Sequence, residues 1–542
     1  MGRVQSVVAR ANRKLTVRFA AILIASSSLV SMLFGLLRER LLNSYYYDSY
    51  PVGLDAYTAA FLLPDFMYFI LVSGALSVTF IPVFNQRLAS GNRKSAWELS
   101  TSMVNLMALA TLVASTLIII FADPLIQYVI APGLSESGTA LAVSMMRVIA
   151  VNPFLFAVAT VIASIQQALG KFTFYVLAPT IYNIGIIIGI LFFTGGINIF
   201  GWQVFEGGIM GVALGVVLGS VMQLVVSSIG LIGLGFDYRF KIHWKNKGFR
   251  KVLSLLPARS LDQGMDYVVS IVETNLASRM GAGTVRAYNQ AMTLQMAPIN
   301  LIGVAISTAA FPKMTERLAE GRMDLFQLEL RTVLRVIIWL SLPVAIITFF
   351  TRGYLVNFIN PRGDSLMAGL LGALVLAILF RSVYYIAART FYAQQDTKTP
   401  LYISFFSIGL NIVLAIWFTQ SLNMGAYGLA WAQSIMAAIE VFILFAVMAR
   451  RFPGLLNREF WNAVWRMASA TGFMAVISYV MVSIFPLQAG DQSSFYFTFP
   501  KFVLIAGMSF VAYLTFSKLL KLDEANPVIA AVRRLTPNGL KD

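Results

Sequence analysis

Stretches of about twenty apolar residues recur from one end of this chain to the other, and they decide what it can fold into. Twenty helical residues at 1.5 Å rise cover the roughly 30 Å hydrocarbon core of a bilayer. Inside lipid, only helices and closed barrels satisfy every backbone donor and acceptor. The runs here are too long and too uniformly apolar for barrel strands, which alternate. The chain is therefore predicted to be an all-α polytopic membrane protein. Composition agrees, with 58% of the 542 residues hydrophobic and 12% charged, against about 25% charged in soluble proteins.

The spans are predicted near 19–37, 56–84, 97–121, 140–168, 175–197, 208–234, 252–277, 286–311, 332–350, 366–388, 401–420, 425–448, 462–485 and 502–517, about fourteen in all. The formal net charge of +17 would suggest nucleic acid for a soluble protein. In a membrane protein, an excess of Lys and Arg marks the cytoplasmic loops. Arg3, Arg10, Arg13, Lys14 and Arg18 precede the first span without an acid, and Arg239, Lys241, Lys245, Lys247, Arg250 and Lys251 follow the sixth. Most of the 41 Lys and Arg fall in alternate loops, which predicts N-in, C-in topology in a bacterial inner membrane and no nucleic-acid partner. These basic loops also face the anionic headgroups of membrane lipids. No small-residue cleavage site follows the first run, only Phe34-Gly35-Leu36-Leu37-Arg38, so the first helix reads as retained.

The absence of cysteine excludes disulfides and thiolate metal sites. The one histidine, His243, sits in the basic loop Tyr238-Arg239-Phe240-Lys241-Ile242-His243-Trp244-Lys245 and reads as a solvated loop residue. No phosphate-binding loop, Ser-His-Asp set or metal-ligand pair is present, so the chain reads as a transporter and not an enzyme, without a cofactor. Coupling to the membrane potential or to a monovalent cation stays open; Asp396 reads as a turn or cap residue.

The sequence also repeats. Ala75-Leu76-Ser77-Val78-Thr79-Phe80-Ile81-Pro82, running on to Gln86-Arg87-Leu88-Ala89-Ser90-Gly91, is echoed by Ala305-Ile306-Ser307-Thr308-Ala309-Ala310-Phe311-Pro312 and Glu316-Arg317-Leu318-Ala319-Glu320-Gly321. Upstream, Pro64 answers Pro298. A weaker echo joins Gly208-Ile209-Met210-Gly211-Val212-Ala213 to Gly425-Ala426-Tyr427-Gly428-Leu429-Ala430. This predicts a six-helix unit occurring twice in one orientation, the parallel-repeat plan of many transporters. The organisation follows: a cytoplasmic basic tail (1–18), a first lobe (19–234), a basic cytoplasmic linker (235–251), a second lobe (252–448), a terminal helix pair (449–520) and a cytoplasmic tail (521–542).

An ionisable side chain at the bilayer centre costs at least ~2.5–3.5 kcal/mol and usually faces a cavity or a partner. The first two spans hold Arg38, Glu39, Asp55 and Asp65. The seventh holds Arg259, Asp262 and Asp266, at a spacing that shares one helical face, then Glu273 and Asn275. Arg147, Arg381, Glu440 and Arg466 lie scattered elsewhere. The bland reading pairs Arg259 with Asp262, and Arg38 with Glu39 or Asp55. The functional reading takes Arg38 and Arg259 as a cationic spot for phosphate oxygens, since the planar guanidinium binds phosphate bidentately and keeps its charge. Glu39, Asp55, Asp65, Asp262, Asp266 and Glu273 would then line or gate the cavity.

Gly35-Leu36-Leu37-Arg38-Glu39 and Leu54-Asp55-Ala56-Tyr57-Thr58-Ala59-Ala60-Phe61-Leu62-Leu63-Pro64-Asp65 resemble the first two helices of the bacterial lipid II flippases, the MurJ or MviN family. So do Ile130-Ala131-Pro132-Gly133, Pro179-Thr180-Ile181-Tyr182-Asn183, Gly303-Val304-Ala305-Ile306-Ser307-Thr308 and Arg389-Thr390-Phe391-Tyr392-Ala393-Gln394-Gln395-Asp396-Thr397-Lys398-Thr399-Pro400. The resemblance runs along nearly the whole chain. It implies the two-lobed fold of the MOP exporter superfamily and alternating access. It also implies a central cavity lined by the first, second, seventh and eighth helices, and a lipid-tail groove on the last two. The implied cargo is the undecaprenyl-pyrophosphate-linked peptidoglycan precursor, lipid II, with cell-wall synthesis proteins as further partners. Flippases for another polyprenyl-linked glycan and MATE-like drug/cation antiporters remain as alternatives.

The sequence departs from the family at several positions. Of four cavity arginines found in several members, Arg38 matches one, while Met32, Tyr68 and Ala291 stand at the others. Gln290 stands where an acid is usual. Arg259 lies where the family is apolar, and is expected to replace a lost cation.

Overall fold

The computed structural model describes residues 17–72, 75–199, 202–236, 238–394, 396, 398–488 and 494–535, with the backbone alone for 17–18, 20–22, 25, 75–78, 199, 202, 204, 255, 257–264 and 531–535. Twelve described helices are long and apolar enough to cross a membrane. The helices Val17–Tyr46 and Lys247–Ser278 complete the fourteen expected from hydropathy.

The chain forms two compact units, Met1–Arg286 and Ala287–Asp542. The first contains α1 (Val17–Tyr46), α2 (Pro51–Leu71), α3 (Ala75–Ala89), α4 (Arg93–Pro124, continued by a π-helical turn to Ile130), α5 (Glu136–Ile149), α6 (Asn152–Ala168), α7 (Thr173–Ile188), α8 (Met210–Ile229) and α9 (Lys247–Ser278). A two-stranded antiparallel hairpin, β1 (Ile197–Ile199) and β2 (Trp202–Phe205), lies between α7 and α8. Small residues set the closest approach. A Cβ on Gly185 would stand 2.2 Å from the Cα of Gly219, and one on Gly189 would stand 2.4 Å from the Cα of Gly215. Small residues on both sides let two helix backbones touch, which is how helices associate in lipid without a hydrophobic drive.

The sequence repeat places α9 at the start of the second lobe, whereas the contact boundary lies at Arg286, beyond it. The physical reason is packing: α9 lies against α2, α3 and α4. Its far end is fixed by Asn275 Nδ2 donating to the Val129 carbonyl at 2.6 Å and by Gly133 N donating to Ser278 Oγ at 3.1 Å. Gly133 must be glycine there, because a Cβ would fall 2.4 Å from the Ser278 carbonyl oxygen.

The second unit contains most of α10 (Thr284–Ile299), then α11 (Ala305–Ala319), α12 (Met323–Ile359), α13 (Ser365–Ala373), α14 (Val375–Ala393), α15 (Lys398–Ile416), α16 (Ala426–Arg451), α17 (Arg458–Ile484), α18 (Phe495–Leu519) and α19 (Asn526–Leu535). Its core gathers on α12, the longest helix, around Phe326, Leu334, Ile337 and Trp339. The two large polar aromatics of this core are hydrogen-bonded: Trp339 Nε1 donates to Ser517 Oγ at 3.1 Å, and Tyr513 Oη donates to the Trp339 carbonyl at 2.9 Å. Arg335 closes the base by pairing with Glu524.

The repeat is visible in local geometry. The α3 and α11 helices have 15 residues each, with Pro82 and Pro312 at the same position inside. Each ends at a left-handed glycine, Gly91 at φ +73° and Gly321 at φ +72°, a conformation that terminates a helix at little steric cost. The weaker echo is matched by Gly208 and Gly425, both also at positive φ, ahead of α8 and α16.

Candidate functional site

The charged residues of α1 and α2 meet at the end where one helix turns into the other. Arg38 and Glu39 occupy the last three turns of α1, and Asp55 the first turns of α2. Arg38 Nη2 donates to Glu39 Oε1 at 2.6 Å, and Arg38 Nη1 donates to Asn183 Oδ1 on α7 at 3.0 Å. The other Glu39 oxygen, Oε2, accepts from Arg286 Nη2 at 2.5 Å. Arg286 Nη2 also reaches Asn43 Oδ1 at 3.2 Å. One carboxylate thus bridges two guanidinium groups.

Asp55 is 1% exposed and spends its charge on backbone. Its Oδ2 accepts from Gly283 N at 2.6 Å, and its Oδ1 from Arg286 N at 2.8 Å. These are amides at the opening of α10, where the first N–H groups of a helix lack internal partners and carry partial positive charge. The buried carboxylate answers that end, as an N-cap does, but from a different helix.

The sequence-predicted residues fall into three groups. Arg38, Glu39 and Asp55 are brought together, and Asp65, half-buried on α2, lies within electrostatic reach of Arg38. Asp266 is exposed and Glu273 buried at 3% on α9. Arg259 and Asp262 lie on α9, with side chains outside the described residues. Arg38 takes Glu39 and not Asp55, as one arm of the bland reading expects. Sequence reasoning missed Arg286, Asn43 and Asn183. Asn183 stood inside a recognised motif. Arg286 carried no local signal, for its partners lie more than two hundred residues away. At the positions where the family arginines are absent, Met32 is 53% exposed, the Tyr68 hydroxyl shares a 2.9 Å hydrogen bond with Thr160 Oγ1, and Ala291 and Gln290 are buried.

The second unit has its own intramembrane ion pair. Arg381 Nη1 on α14 contacts Glu440 Oε2 on α16 at 3.3 Å, and Ser404 Oγ on α15 donates to Glu440 Oε1 at 3.3 Å. Outside the spans, Asp396 is a cap, as expected from sequence. Its oxygens accept from Lys398 N, Thr399 N and Thr399 Oγ1, at 3.1, 3.0 and 2.6 Å, and it pairs with Arg451 at 2.6 Å. Hydrogen bonds from Thr399, then the Arg451 charge, hold its carboxyl down at about 2. Among the described residues no cluster of His, Cys, Asp or Glu could hold a metal ion.

Polytopic helical units with buried arginines and carboxylates in their spans, and a repeated six-helix plan, define an integral membrane transporter. Comparison with known proteins makes the class specific. The sequence model of the family described as "Lipid II flippase MurJ" matches residues 51–499. A probable lipid II flippase MurJ of Borreliella burgdorferi is 23% identical over 498 residues, covering 91% of each chain. Among solved structures, a lipid II flippase MurJ in an inward closed conformation superposes with a TM-score of 0.75 at 23% identity, covering 93% of this chain and 99% of that one. An inward-facing multidrug resistance MATE family transporter of the MOP superfamily superposes at 0.65 with 15% identity, covering 81% and 99%. The chain belongs to the lipid II flippase MurJ family, and is a multi-pass protein of the bacterial inner membrane.

Proposed function

We propose that this protein carries lipid II, the undecaprenyl-pyrophosphate-linked peptidoglycan precursor, from the cytoplasmic to the outer leaflet by alternating access. The observation that supports it is the Arg38–Glu39–Arg286 bridge. Arg38 is about one-quarter exposed, and its Nε, like that of Arg286, is buried without a hydrogen-bond partner. A pyrophosphate would find donors there once Glu39 lets go. In this reading Glu39 is a built-in stand-in for the cargo's charge: it holds the arginines when no cargo is present and yields them to phosphate. The wider roles of Asp65, Asp266, Glu273, Arg259 and Asp262 as cavity residues belong to the same proposal.

Export of an anionic lipid is favoured by the field. Moving one negative charge out of an electrically negative cytoplasm releases ~2.3 kcal/mol per 100 mV, so the membrane potential can drive or reset the cycle.

The test is complementation of a cell depleted of its own lipid II flippase, with outer-leaflet lipid II as the readout. The wild-type chain restores it. Arg38→Ala is expected to lower flipping by about tenfold or more, since a charge-assisted contact to phosphate contributes roughly 1.5–3 kcal/mol. Arg38→Lys is expected to recover only part, because the ammonium lacks the fork. Wild-type-level flipping by Arg38→Ala would move the anion site elsewhere. Ion-dependent drug efflux without complementation would assign the chain to antiport.

A further inference from the structure

On the face that carries the basic linker, the first unit encloses a second charged feature unrelated to the Arg38 network. Residues 239–246 are folded down on the start of α4. Asn105 Nδ2 donates to the carbonyls of Arg239 and Lys241 at 2.8 and 3.1 Å. His243 N donates to Ser102 Oγ at 2.8 Å, and Asn246 Nδ2 to the Ser95 carbonyl at 3.0 Å. Ser95, Ser102 and Asn105 share one stripe of α4 at helical spacing, so the linker has a defined seat.

Between linker and helix lies a cleft of about 760 Å³, lined by Arg87, Lys94, Lys241, Lys245 and Lys247 with one acid, Glu98. That acid accepts from Asn246 Nδ2 at 3.3 Å. Among the described residues none of the five cations has an ion-pair or side-chain hydrogen-bond partner, and Arg87 Nε is buried without any acceptor. Five like charges around one cleft repel one another. An arrangement held in place mainly by hydrogen bonds of Ser and Asn side chains, with the five cleft cations unspent, is built for an anion brought from outside. Lys and Arg together suit phosphate: Lys as a point charge, Arg as a bidentate fork. The volume lies within the range of small-molecule sites, and the charge calls for more than one phosphate. Trp244, 55% exposed, lines the cleft, as aromatic residues do at headgroup level.

We propose that this cleft is a binding site for a diphosphate-bearing anion, recognised through its phosphate oxygens. This inference does not depend on the cargo reading above. The diphosphate can reach the cleft from solution or on a lipid headgroup, and the experiment separates the two. The full chain is placed in phosphatidylcholine nanodiscs, and inorganic pyrophosphate is titrated calorimetrically. In parallel, nanodiscs doped with diphosphatidylglycerol are examined for retained lipid by native mass spectrometry. The cleft variant Lys241→Gln/Lys245→Gln/Lys247→Gln is compared with a charge-matched control at positions that do not line the cleft, Lys251→Gln/Lys313→Gln/Lys518→Gln, after both are shown to melt like wild type. In at least one arm the cleft variant is expected to bind about tenfold more weakly, from loss of charge-assisted contacts, with the control unchanged. Loss in the pyrophosphate arm assigns a soluble ligand, and loss in the lipid arm alone assigns a headgroup. Wild-type binding by the cleft variant in both arms, or equal loss in cleft variant and control, overturns the site.

Discussion

The two units each bury an arginine against a glutamate in the span region, and they do so differently. In the second unit one guanidinium, Arg381, meets one carboxylate, Glu440, which is 2% exposed, and Ser404 takes the remaining oxygen. In the first unit Glu39 is divided between Arg38 and Arg286, both with a buried Nε lacking an acceptor, while the nearby Asp55 is committed to backbone amides. The first arrangement leaves donors for another anion; the second leaves the glutamate enclosed. A closed pair is costly to break, because removing one partner strands the other. A shared carboxylate is cheaper to displace, because an incoming phosphate can replace what it gave. In the proposed reading the Arg381–Glu440 pair serves adhesion, and the Arg38–Glu39–Arg286 bridge exchanges its carboxylate for phosphate.

The largest effect expected from this contrast is on stability. Glu440→Ala leaves Arg381 without its buried partner and is expected to cost about 3 kcal/mol, seen as a lowered melting temperature in detergent. Glu440→Leu combined with Arg381→Leu is expected to recover most of it. Wild-type melting of Glu440→Ala would break the distinction between the two pairs. A smaller loss, about 1–2 kcal/mol, is expected for Asp55→Ala, which uncaps Gly283 N and Arg286 N. Asp55→Asn, keeping one acceptor, should fall between.

The smallest effect concerns Asp396, outside the spans and partly exposed. Its carboxyl is held at about 2, against an ordinary 3.8. A depressed folded-state value means that its contribution is present in full above the ordinary value and is lost as pH falls through about 2. The melting difference between wild type and Asp396→Asn is therefore expected to be modest at neutral pH, to shrink between roughly pH 4 and pH 2, and to vanish below. A difference that persisted at pH 2 would show that the Thr399 and Arg451 contacts do not depend on the charge.

Much of the architecture was legible because it rests on local properties. Mean hydropathy over about twenty residues is a property of the segment alone, and it located the helices. The repeat was legible because Pro82 and Gly91, and Pro312 and Gly321, impose backbone geometry through their own covalent structure. Arg38, Glu39 and Asp55 stood out because charges in spans are expensive. Arg286 did not, since at the mouth of a helix after Gly281 and Gly283 it resembles any loop cation. The side on which α9 packs was equally hidden: its place in the repeat says second copy, and its contacts say first unit.

By itself, then, the sequence determined that this chain spans the bilayer as helices in a twice-repeated plan, because lipid demands that backbone groups be satisfied within each segment. Only the tertiary structure decided that Glu39 bridges Arg38 and Arg286, that Asp55 caps a helix hundreds of residues away, and that five linker and helix cations surround one cleft. Those pairings are made through space between groups far apart in the chain, and nothing in the local pattern of apolar and polar residues encodes which distant charge a given arginine will meet.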